Sequence, residues 1–452
     1  MNVKVVKFGG SSLADAAQFK KACDIIRADQ GRRFVVDSAP GKRAGDDAKV
    51  TDLLYQCHRE AEEGGDFRET LQKVKARFTE IAEGLQLTSV DLNAEFAEIE
   101  KQLAAGICAD YAASRGEYLN GKLLAAALGY EFVDAAEIIR FLPDGSFDAD
   151  TTNVLAAMRL ENTEHAVIPG FYGLTAVRDD DADAAKDPAR IKTFSRGGSD
   201  ITGSIIARAV HADVYENWTD VSGFMVADPR VVENPARIET ITYLELRELA
   251  YMGATVLHED AIFPVRKEGI PINIRNTNAP EEEGTWIVES TAKKSRYTIT
   301  GIAGKKDFCS INIEKDMMNS EVGFIRRVLQ AFEDQNISVE HVPSGIDTMT
   351  VFVHQDEFIE KEQQVVSEIH RLAKPDLLEI ESDLALIAVV GRGMKSMRGT
   401  AGRIFSALAH ASVNVRMIDQ GSSELNIIIG VEGRDFERAI RAIYDIFVTT
   451  AL

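Results

Sequence analysis

The sequence lacks the features of secreted, membrane-spanning or disulfide-stapled proteins. Its 452 residues include only 4 cysteines, at positions 23, 57, 108 and 309, and no two form a CxxC pair. Such spacing disfavours a disulfide framework and suits a reducing compartment. No stretch approaches the roughly 18 consecutive apolar residues that cross a bilayer. The first residues carry no signal peptide pattern, so we expect a cytoplasmic protein without a membrane partner.

Positive charge is also scarce. The 51 lysines and arginines face 72 aspartates and glutamates, which gives a formal net charge of −21. A chain so acidic is repelled by nucleic-acid backbones and anionic membranes, so we expect neither as a partner. The hydrophobic content of 45% is nevertheless that of an ordinary globular protein. The length predicts roughly three compact units.

Motifs of several enzyme classes are missing. The sequence contains no GxGxxG dinucleotide fingerprint, no GxSxG nucleophile elbow and no pair of histidines spaced for zinc. A stretch from Gly116 to Leu123 nearly matches a phosphate-binding P-loop, but Leu123 stands where Ser or Thr must hold Mg²⁺. Dehydrogenase, serine hydrolase and zinc chemistry therefore have no support, and we predict no metal held by protein ligands alone.

The first half of the chain has the pattern of an α/β protein. Val3–Phe8 predicts a buried strand, Gly9–Ser12 a tight turn, and Ser12 with Asp15 a capping box that starts a helix. A second strand follows at Phe34–Val36, which completes a βαβ unit and predicts a mostly parallel sheet with helices on both faces. Further strands are predicted at 130–133, 166–169 and 212–217, and a boundary at 279–294.

The last third of the chain contains an internal repeat. Helices that begin at Gly323 and Gly402 are each followed by a strand, a glycine turn, a second strand and a second helix. The order β-α-β-β-α predicts two α+β ferredoxin-like units. The second copy lacks one strand, and the strand-like stretch 297–304 precedes the first copy. We therefore predict that the first unit is inserted within the second.

Two glycine-rich helix starts carry the candidate chemistry. Lys7 ends the first strand and is followed by Gly9, Gly10 and Ser11, an arrangement that lets backbone N–H groups and a helix dipole approach phosphate. A second such start runs from Arg196 to Asp200. Either motif alone is compatible with an ordinary turn, but two cation-bearing starts in one domain favour a phosphate site.

The ordered set of motifs resembles the aspartate kinase family over essentially the whole chain. The matching stretches are Lys7–Ser12, Ser38–Lys42, Ser114–Glu117, Arg196–Asp200, Trp218–Val221 and Ala227–Arg230. The downstream repeat resembles the tandem ACT domains of that family. The resemblance implies an amino-acid-kinase domain at 1–290, a first ACT domain at 305–382, and a second ACT domain built from 296–304 plus 383–452.

The resemblance also implies roles for individual residues. Lys7, Asp200 and Arg196 would be catalytic, and the aspartate substrate would contact Ser38, Thr51, Glu117 and Arg196. ATP, with its bound Mg²⁺, would contact a set of residues that continues from the glycine turn: Lys7, Gly9, Gly10, Ser11, Thr219, Asp220, Met225 and Arg230. Glu117 would face the amino group; from sequence we expect it in the first turn of its helix.

An effector pocket is implied in the first ACT unit. Its residues would be Met318, Val322, Gly323, Ser338, Val339, Glu340 and Ser344. The expected function is phosphorylation of L-aspartate by ATP, inhibited by an end-product amino acid (lysine, threonine or both). ACT pairing implies a homodimer or homotetramer. The alternatives are a kinase for another amino acid and a catalytically inactive amino-acid sensor.

Three positions depart from the family pattern. Met225 stands where many members carry an aromatic residue, and Thr255 replaces a lysine in the stretch Gly253–Glu259. Asp37 occupies a strand end that is usually apolar. These departures concern the adenine and phosphate contacts rather than the type of reaction.

Overall fold

The fold is described from a computed structural model of the chain. Residues 2–176, 188–195, 197–254, 257, 262–292 and 295–450 are described. They form two compact units. The first comprises residues 1–224, 239–243 and 256–290, and the second comprises 225–238, 244–255 and 291–452. Among the described residues, no helix is both long enough and apolar enough to cross a bilayer.

Up to residue 290 the chain alternates strands and helices, as the βαβ pattern predicts. The strands are β1 (Lys4–Phe8), β2 (Arg32–Asp37), β3 (Glu131–Phe132), β4 (Arg140–Phe141), β5 (Ala166–Pro169), β6 (Tyr172–Thr175), β7 (Ile191–Thr193), β8 (Val214–Thr219), β9 (Thr240–Thr242), β10 (Ile272–Asn276) and β11 (Thr285–Val288). The helices are α1 (Ala16–Arg27), α2 (Val50–Glu62), α3 (Arg68–Gly84), α4 (Leu92–Ala104), α5 (Ala109–Leu128), α6 (Ala135–Ile138), α7 (Ala149–Leu160), α8 (Gly198–Ala209), α9 (Tyr243–Tyr251) and α10 (Phe263–Lys267).

The main sheet of the first unit has the order β3-β5-β2-β1-β8-β10-β11-β9. Its pairs are parallel except for the antiparallel pair β10–β11. Strands β1, β2 and β8 lie side by side, so their carboxyl ends meet at one edge, where ligands bind in open α/β sheets. Strands β4, β6 and β7 form a separate small sheet.

The capping box predicted at Ser12 is wrong. Residues Gly10–Leu13 form a 3-10 turn, and helix α1 starts three residues later. Asp15 is the actual cap, since its carboxylate accepts the N–H groups of Ala17 and Gln18 at 2.9 Å. Ser12 instead shares a 2.7 Å hydrogen bond with the Thr277 hydroxyl. The tight turn leaves the glycines, rather than a capped helix end, facing the carboxyl edge of the sheet.

The second unit is built on one antiparallel sheet. Its strands are β12 (Gly301–Glu314), β13 (Val339–His341), β14 (Thr348–His354), β15 (Leu377–Val390), β16 (Val415–Asp419) and β17 (Asn426–Glu432), in the order β13-β14-β12-β15-β17-β16. Its helices are α11 (Phe324–Glu333), α12 (Gln355–Ile359), α13 (Glu362–Ala373), α14 (Thr400–His410) and α15 (Phe436–Tyr444). The two repeats therefore share a sheet.

The central strands β12 and β15 are each 14 residues long and pair with each other in two segments. Gly301–Lys305 pairs with Leu386–Val390, whereas Phe308–Glu314 pairs with Leu377–Leu384. Irregular register around Lys305–Phe308 separates the two segments. The strand predicted for 297–304 thus starts at Gly301 and continues without a break into the next repeat.

Candidate active site

Lys7 and Asp200 come together from the two glycine-rich motifs. The Lys7 Nζ lies 2.6 Å from Asp200 Oδ1, and only 9% and 18% of the two side chains are exposed. Asn217, one strand away on β8, donates its amide to the same Asp200 oxygen at 2.7 Å. A second tether comes from the Tyr215 hydroxyl, which donates to the Asp200 backbone carbonyl at 3.1 Å. The lysine is therefore held at the carboxyl end of β1 by groups from β8 and α8.

The turn after Lys7 is packed backbone against backbone. Gly9 donates its N–H to the Trp218 carbonyl at 2.9 Å. Gly41, in the loop after β2, donates to the Gly10 carbonyl at 2.9 Å. A Cβ atom on Gly41 would lie only 2.6 Å from the Gly10 carbonyl carbon, and one on Gly10 only 2.8 Å from the Ala39 oxygen. Both glycines are required by this close approach, and Ser11 beside them is half-buried.

Glu117 lies in the middle of α5 rather than in its first turn. The helix begins at Ala109, eight residues earlier than the glutamate, so the predicted position is wrong. Alanine-rich sequence from Ala109 to Ala113 extends the helix toward the N-terminus. The position buries Glu117 to 5% exposure. Burial raises the pKa of Glu117 to about 8, against smaller opposing effects of the Ala39 N–H and the charges of Lys7 and Arg115.

Two other predicted substrate residues flank the same region. Ser38 follows β2 directly, and its carbonyl accepts a 2.7 Å hydrogen bond from the Asn120 side chain. Thr51 lies in the first turn of α2 and is half-buried. Arg196, predicted to grip a carboxylate, lies outside the described residues.

The predicted nucleotide residues divide between the two units. Thr219 ends β8, and its hydroxyl donates to the exposed Asp220 carboxylate at 3.2 Å. Met225 and Arg230 belong to the second unit. Arg230 is exposed and pairs with Asp228 two residues earlier, at 2.6 Å. Thr255 lies outside the described residues.

Sequence reasoning missed the residues that hold the site in place. Asn217 fixes Asp200, Asn120 fixes the Ser38 backbone, and Arg115 sits over the rings of Tyr111 and Tyr118 at 4.6 and 4.2 Å. Asn217 belongs to a strand-end motif in the sequence, so its place at the end of a strand could be predicted. Its hydrogen bond to Asp200 could not be predicted, because Asp200 lies on a different element.

The predicted effector residues are less closely gathered. Met318 is part of the buried core beneath α11 and α13, and Val339 packs against that core. Val322 is exposed, and Gly323 is the N-cap of α11 with a φ of 83°. The Glu340 carboxylate lies 3.5 Å from His354 Nε2 and accepts a hydrogen bond from the Tyr251 hydroxyl. The exposed Ser338 donates its N–H to Glu357, and Ser344 bridges to Met349.

The arrangement in the first unit combines a fixed cation, a glycine-lined backbone turn and a buried carboxyl group. A lysine beside a glycine-rich backbone turn stabilises charge on a transferring phosphoryl group. A buried carboxyl favours a cationic partner such as an ammonium group. Among the described residues, no group of three or more His, Cys, Asp or Glu side chains is arranged to hold a metal ion.

Comparison with known proteins decides the family. The model of the amino acid kinase family matches residues 2–276, and an ACT domain model matches residues 387–447. Aspartokinase 3 of Bacillus subtilis is 39% identical over 470 aligned positions, which cover 100% of both chains. The chain belongs to the aspartokinase family. It is an aspartate kinase, a transferase of amino-acid biosynthesis with an allosteric ACT region, and the predicted fold class is confirmed.

Solved aspartate kinases resemble this one along its length. The Clostridium acetobutylicum aspartate kinase is 48% identical, with a TM-score of 0.88 over 99% of this chain and 100% of that one. E. coli aspartokinase III, solved with aspartate and ADP, is 26% identical, with a TM-score of 0.72 over 98% and 99% of the chains. Against a bifunctional aspartokinase/homoserine dehydrogenase of Arabidopsis thaliana, 29% identical, this aspartate kinase spans 51% of the relative's length.

Proposed function

We propose that this aspartate kinase transfers the γ-phosphoryl group of ATP to the β-carboxylate of L-aspartate. The product is 4-phospho-L-aspartate, the first intermediate toward lysine, threonine and methionine. The observation that carries the proposal is the Lys7–Asp200 ion pair, 2.6 Å long, at the glycine turn. The E. coli aspartokinase III complex with aspartate and ADP supports the choice of substrates.

Phosphoryl transfer to a carboxylate needs position and charge more than proton transfer. Lys7, oriented by Asp200, contacts the transferring phosphoryl group, while Gly9, Gly10 and Ser11 line the phosphate path. Mg²⁺ arrives bound to ATP and neutralises phosphate charge. The acceptor carboxylate is already ionised at neutral pH, so no general base is required.

Aspartate and the nucleotide are assigned to separate groups of residues. Glu117 receives the ammonium group of aspartate, Ser38 and Thr51 contact its carboxylates, and Arg196 grips one of them through its planar fork. The nucleotide contacts are assigned to residues that follow β8: Thr219, Asp220, Met225 and Arg230. The position of Thr219 at the carboxyl end of β8, beside β1, supports this assignment.

The regulatory part is proposed to be two ACT domains, one inserted in the other. The boundaries are 305–382 for the first and 296–304 plus 383–452 for the second, with the kinase domain at 1–290. Pairing of Gly301–Lys305 with Leu386–Val390 supports an insertion, because the strand before the first repeat lies against the second. Strands β13 and β16 are the edges of the sheet. Edges can pair with another copy, which supports a homodimer or homotetramer.

An end-product amino acid, with lysine foremost, is proposed to inhibit the enzyme. The proposed pocket comprises Met318, Val322, Gly323, Ser338, Val339, Glu340 and Ser344. The Glu340 carboxylate is the partner for the effector's ammonium group, and it would exchange its contacts with Tyr251 and His354 for that group. E. coli aspartokinase III has been solved with lysine and aspartate, which supports lysine as the effector class.

Hydroxamate formation with ATP, Mg²⁺ and L-aspartate tests the proposal. We expect turnover with L-aspartate, little with L-glutamate, and suppression by L-lysine or L-threonine added singly. The matched control is Lys7→Met, which should lower turnover by about 10²- to 10³-fold without unfolding the protein. Folded protein that binds amino acids but does not turn over aspartate would instead establish an amino-acid sensor.

A further inference from the structure

Asp37 is a buried acid that the proposed mechanism does not use. It is the last residue of β2 and is 0% exposed. Neither of its carboxylate oxygens has a hydrogen-bond partner in another described residue. A Cβ atom on Gly121 of α5 would lie 2.8 Å from Asp37 Oδ1, so the glycine leaves the space that this side chain occupies. Gly121 is one helical turn beyond Glu117, so Asp37 lies beneath the proposed ammonium site.

Helix α5 carries two further buried acceptor atoms that lack a donor. Glu117 Oε2 and Asn120 Oδ1 are buried and have no hydrogen-bond partner among the described residues. Buried carboxyl oxygens without a donor are unfavourable unless a proton satisfies one of them. Of the two acids, Asp37 is the fully buried one, and a wholly buried, unpaired carboxylate is far less stable than the neutral acid.

The charges acting on this group agree with a neutral Asp37. Burial, followed by the negative charge of Glu117, raises the pKa of Asp37 well above its usual range. Lys7 from β1 and Arg115 from α5 instead lower the pKa of Glu117. Of the two acids, Glu117 is therefore the one that ionises when a cation arrives, and Asp37 is the one that stays protonated.

We propose that Asp37 is a positioning residue that keeps its proton and, as a donor toward Glu117, stabilises the ionised form of that carboxyl when the substrate's ammonium group binds. The inference rests on the proposed function, since it takes Glu117 as the ammonium site. Asp37 retains its own proton throughout. The proton that Glu117 carries in the free enzyme at neutral pH leaves to solvent when the ammonium group binds.

This role gives aspartate binding a pH dependence of known sign. The free-enzyme pKa of Glu117 is raised to about 8, so below that pH binding must expel a proton. The apparent affinity therefore falls about tenfold per pH unit below 8 and levels off above it. Loss of the Asp37 donor destabilises the Glu117 carboxylate, which moves this midpoint to higher pH.

Kinetics of Asp37→Leu and Asp37→Asn between pH 6 and 9 test the proposal. Leucine fills the space but cannot donate, so KM for aspartate at pH 7 should rise about tenfold, which corresponds to one pKa unit on Glu117. In the leucine variant the midpoint of the pH dependence of KM for aspartate should move to higher pH, and KM for ATP should stay unchanged. Asparagine is neutral and keeps a donor, so it should stay within about twofold of the parent enzyme. An Asp37→Leu enzyme with unchanged KM and unchanged pH profile overturns the proposal, as does an asparagine variant that behaves like leucine.

Calorimetry of aspartate binding in buffers of different ionisation enthalpy gives a second readout that does not depend on turnover. The parent enzyme should release about 0.9 proton per site at pH 7 and about 0.1 at pH 9, for a group with a pKa near 8. Asp37→Val serves if the leucine variant does not fold, and either apolar variant should still release protons at pH 9. Proton release identical to the parent's overturns the inference. Failure of the parent enzyme to bind or phosphorylate aspartate would overturn the proposed function instead.

Discussion

Lys4 and Lys7 lie on the same strand and each pairs with acids, but at opposite ends of it. Lys4 Nζ lies 2.9 Å from Asp29 and 3.1 Å from Glu216 at the amino end. Lys7 pairs with Asp200 beside the glycine turn. Only the lysine at the carboxyl end is next to N–H groups that can bind phosphate. The two therefore form a matched pair for mutation.

Lys7→Met should lower kcat by about 10²- to 10³-fold, because it removes a fixed charge that stabilises the transferring phosphoryl group. Lys4→Met should change kcat by less than about threefold, although it loses two ion pairs and some stability. Steady-state rates at saturating ATP and aspartate check both values. Equal losses in the two variants would show that Lys7 acts only through the strand's stability.

Glu117→Gln should raise KM for aspartate, with a smaller effect on kcat, because the amide cannot pair with an ammonium group as a charge. The rise should be about 10- to 100-fold at pH 8, since a hydrogen bond between charged groups contributes roughly 1.5–3 kcal/mol. In the parent enzyme KM should fall as pH rises toward 8, the pKa of this buried acid. In Glu117→Gln that slope should vanish. A pH profile of KM that keeps its slope in the variant would contradict the assignment.

Single residues were predictable where a motif names them and unpredictable where two motifs meet. The sequence indicates Lys7 and Asp200 separately, each by its glycine-rich turn. Their contact depends on α8 packing against β1, which no local pattern encodes. The burial of Glu117 in the middle of its helix was not predicted, because the helix begins at Ala109, well before the motif.

At the scale of elements, the loop after β2 and the turn after β1 act as one piece. They touch through Gly10 and Gly41 with no side chain between them. The loop also contains Gly45, where a Cβ atom would meet nothing within 4 Å. The same loop thus contains Gly41, which the packing requires to be a glycine, and Gly45, which it does not.

Gly41→Ala should destabilise the protein by about 1–3 kcal/mol and lower activity, because the added methyl group forces two backbones apart beside Lys7. Gly45→Ala should leave stability within about 0.5 kcal/mol and activity unchanged. Urea unfolding and turnover measured on both variants check the prediction. An alanine at 41 that is as well tolerated as one at 45 would mean that the close approach is not needed for activity.

Elements with a strong period were predictable, and their ends were not. The strand at Ala166–Pro169 matches its prediction residue for residue, and α8 begins at Gly198, within the predicted helix start Arg196–Asp200. The start of α1 was misplaced because a 3-10 turn replaced the predicted cap. The length of β15, 14 residues, was not predicted, since the register of a bulged strand changes midway.

At the scale of the whole molecule, Tyr251 and Glu340 join distant parts of the second unit. Tyr251 ends α9, whereas Glu340 lies in β13 and is the proposed ammonium partner of the effector. Their hydrogen bond occupies the carboxylate before any effector arrives. Effector and tyrosine hydroxyl would thus compete for one acceptor.

Tyr251→Phe should therefore lower the lysine concentration for half-inhibition by about three- to tenfold, within the range for one hydrogen bond to a charged group and discounted for exposure. Tyr444→Phe is the control, because its hydroxyl bonds the Ala236 N–H elsewhere in the same unit. Inhibition curves for the three proteins check this. An unchanged curve for Tyr251→Phe would remove Glu340 from the effector site.

Large-scale organisation was predictable because it repeats or alternates. The βαβ pattern at the start of the chain predicted the parallel sheet, and the duplicated β-α-β-β-α order predicted the two repeats. How the repeats join was less accessible, since the sequence shows two copies but not that their strands fuse. Continuity across Lys305–Phe308 is a matter of register, which depends on partners far along the chain.

The fusion of the repeats through β12 and β15 has a mechanical consequence. These two strands, each 14 residues long, run side by side through both repeats. A displacement near Glu314, where the proposed effector pocket begins, would act on the same strand that starts at Gly301. The span is about 40 Å at the usual rise per residue of a strand. The irregular register at Lys305–Phe308 lies between the segments of the two repeats, so a substitution that alters this register should change the strand pairing of both repeats at once.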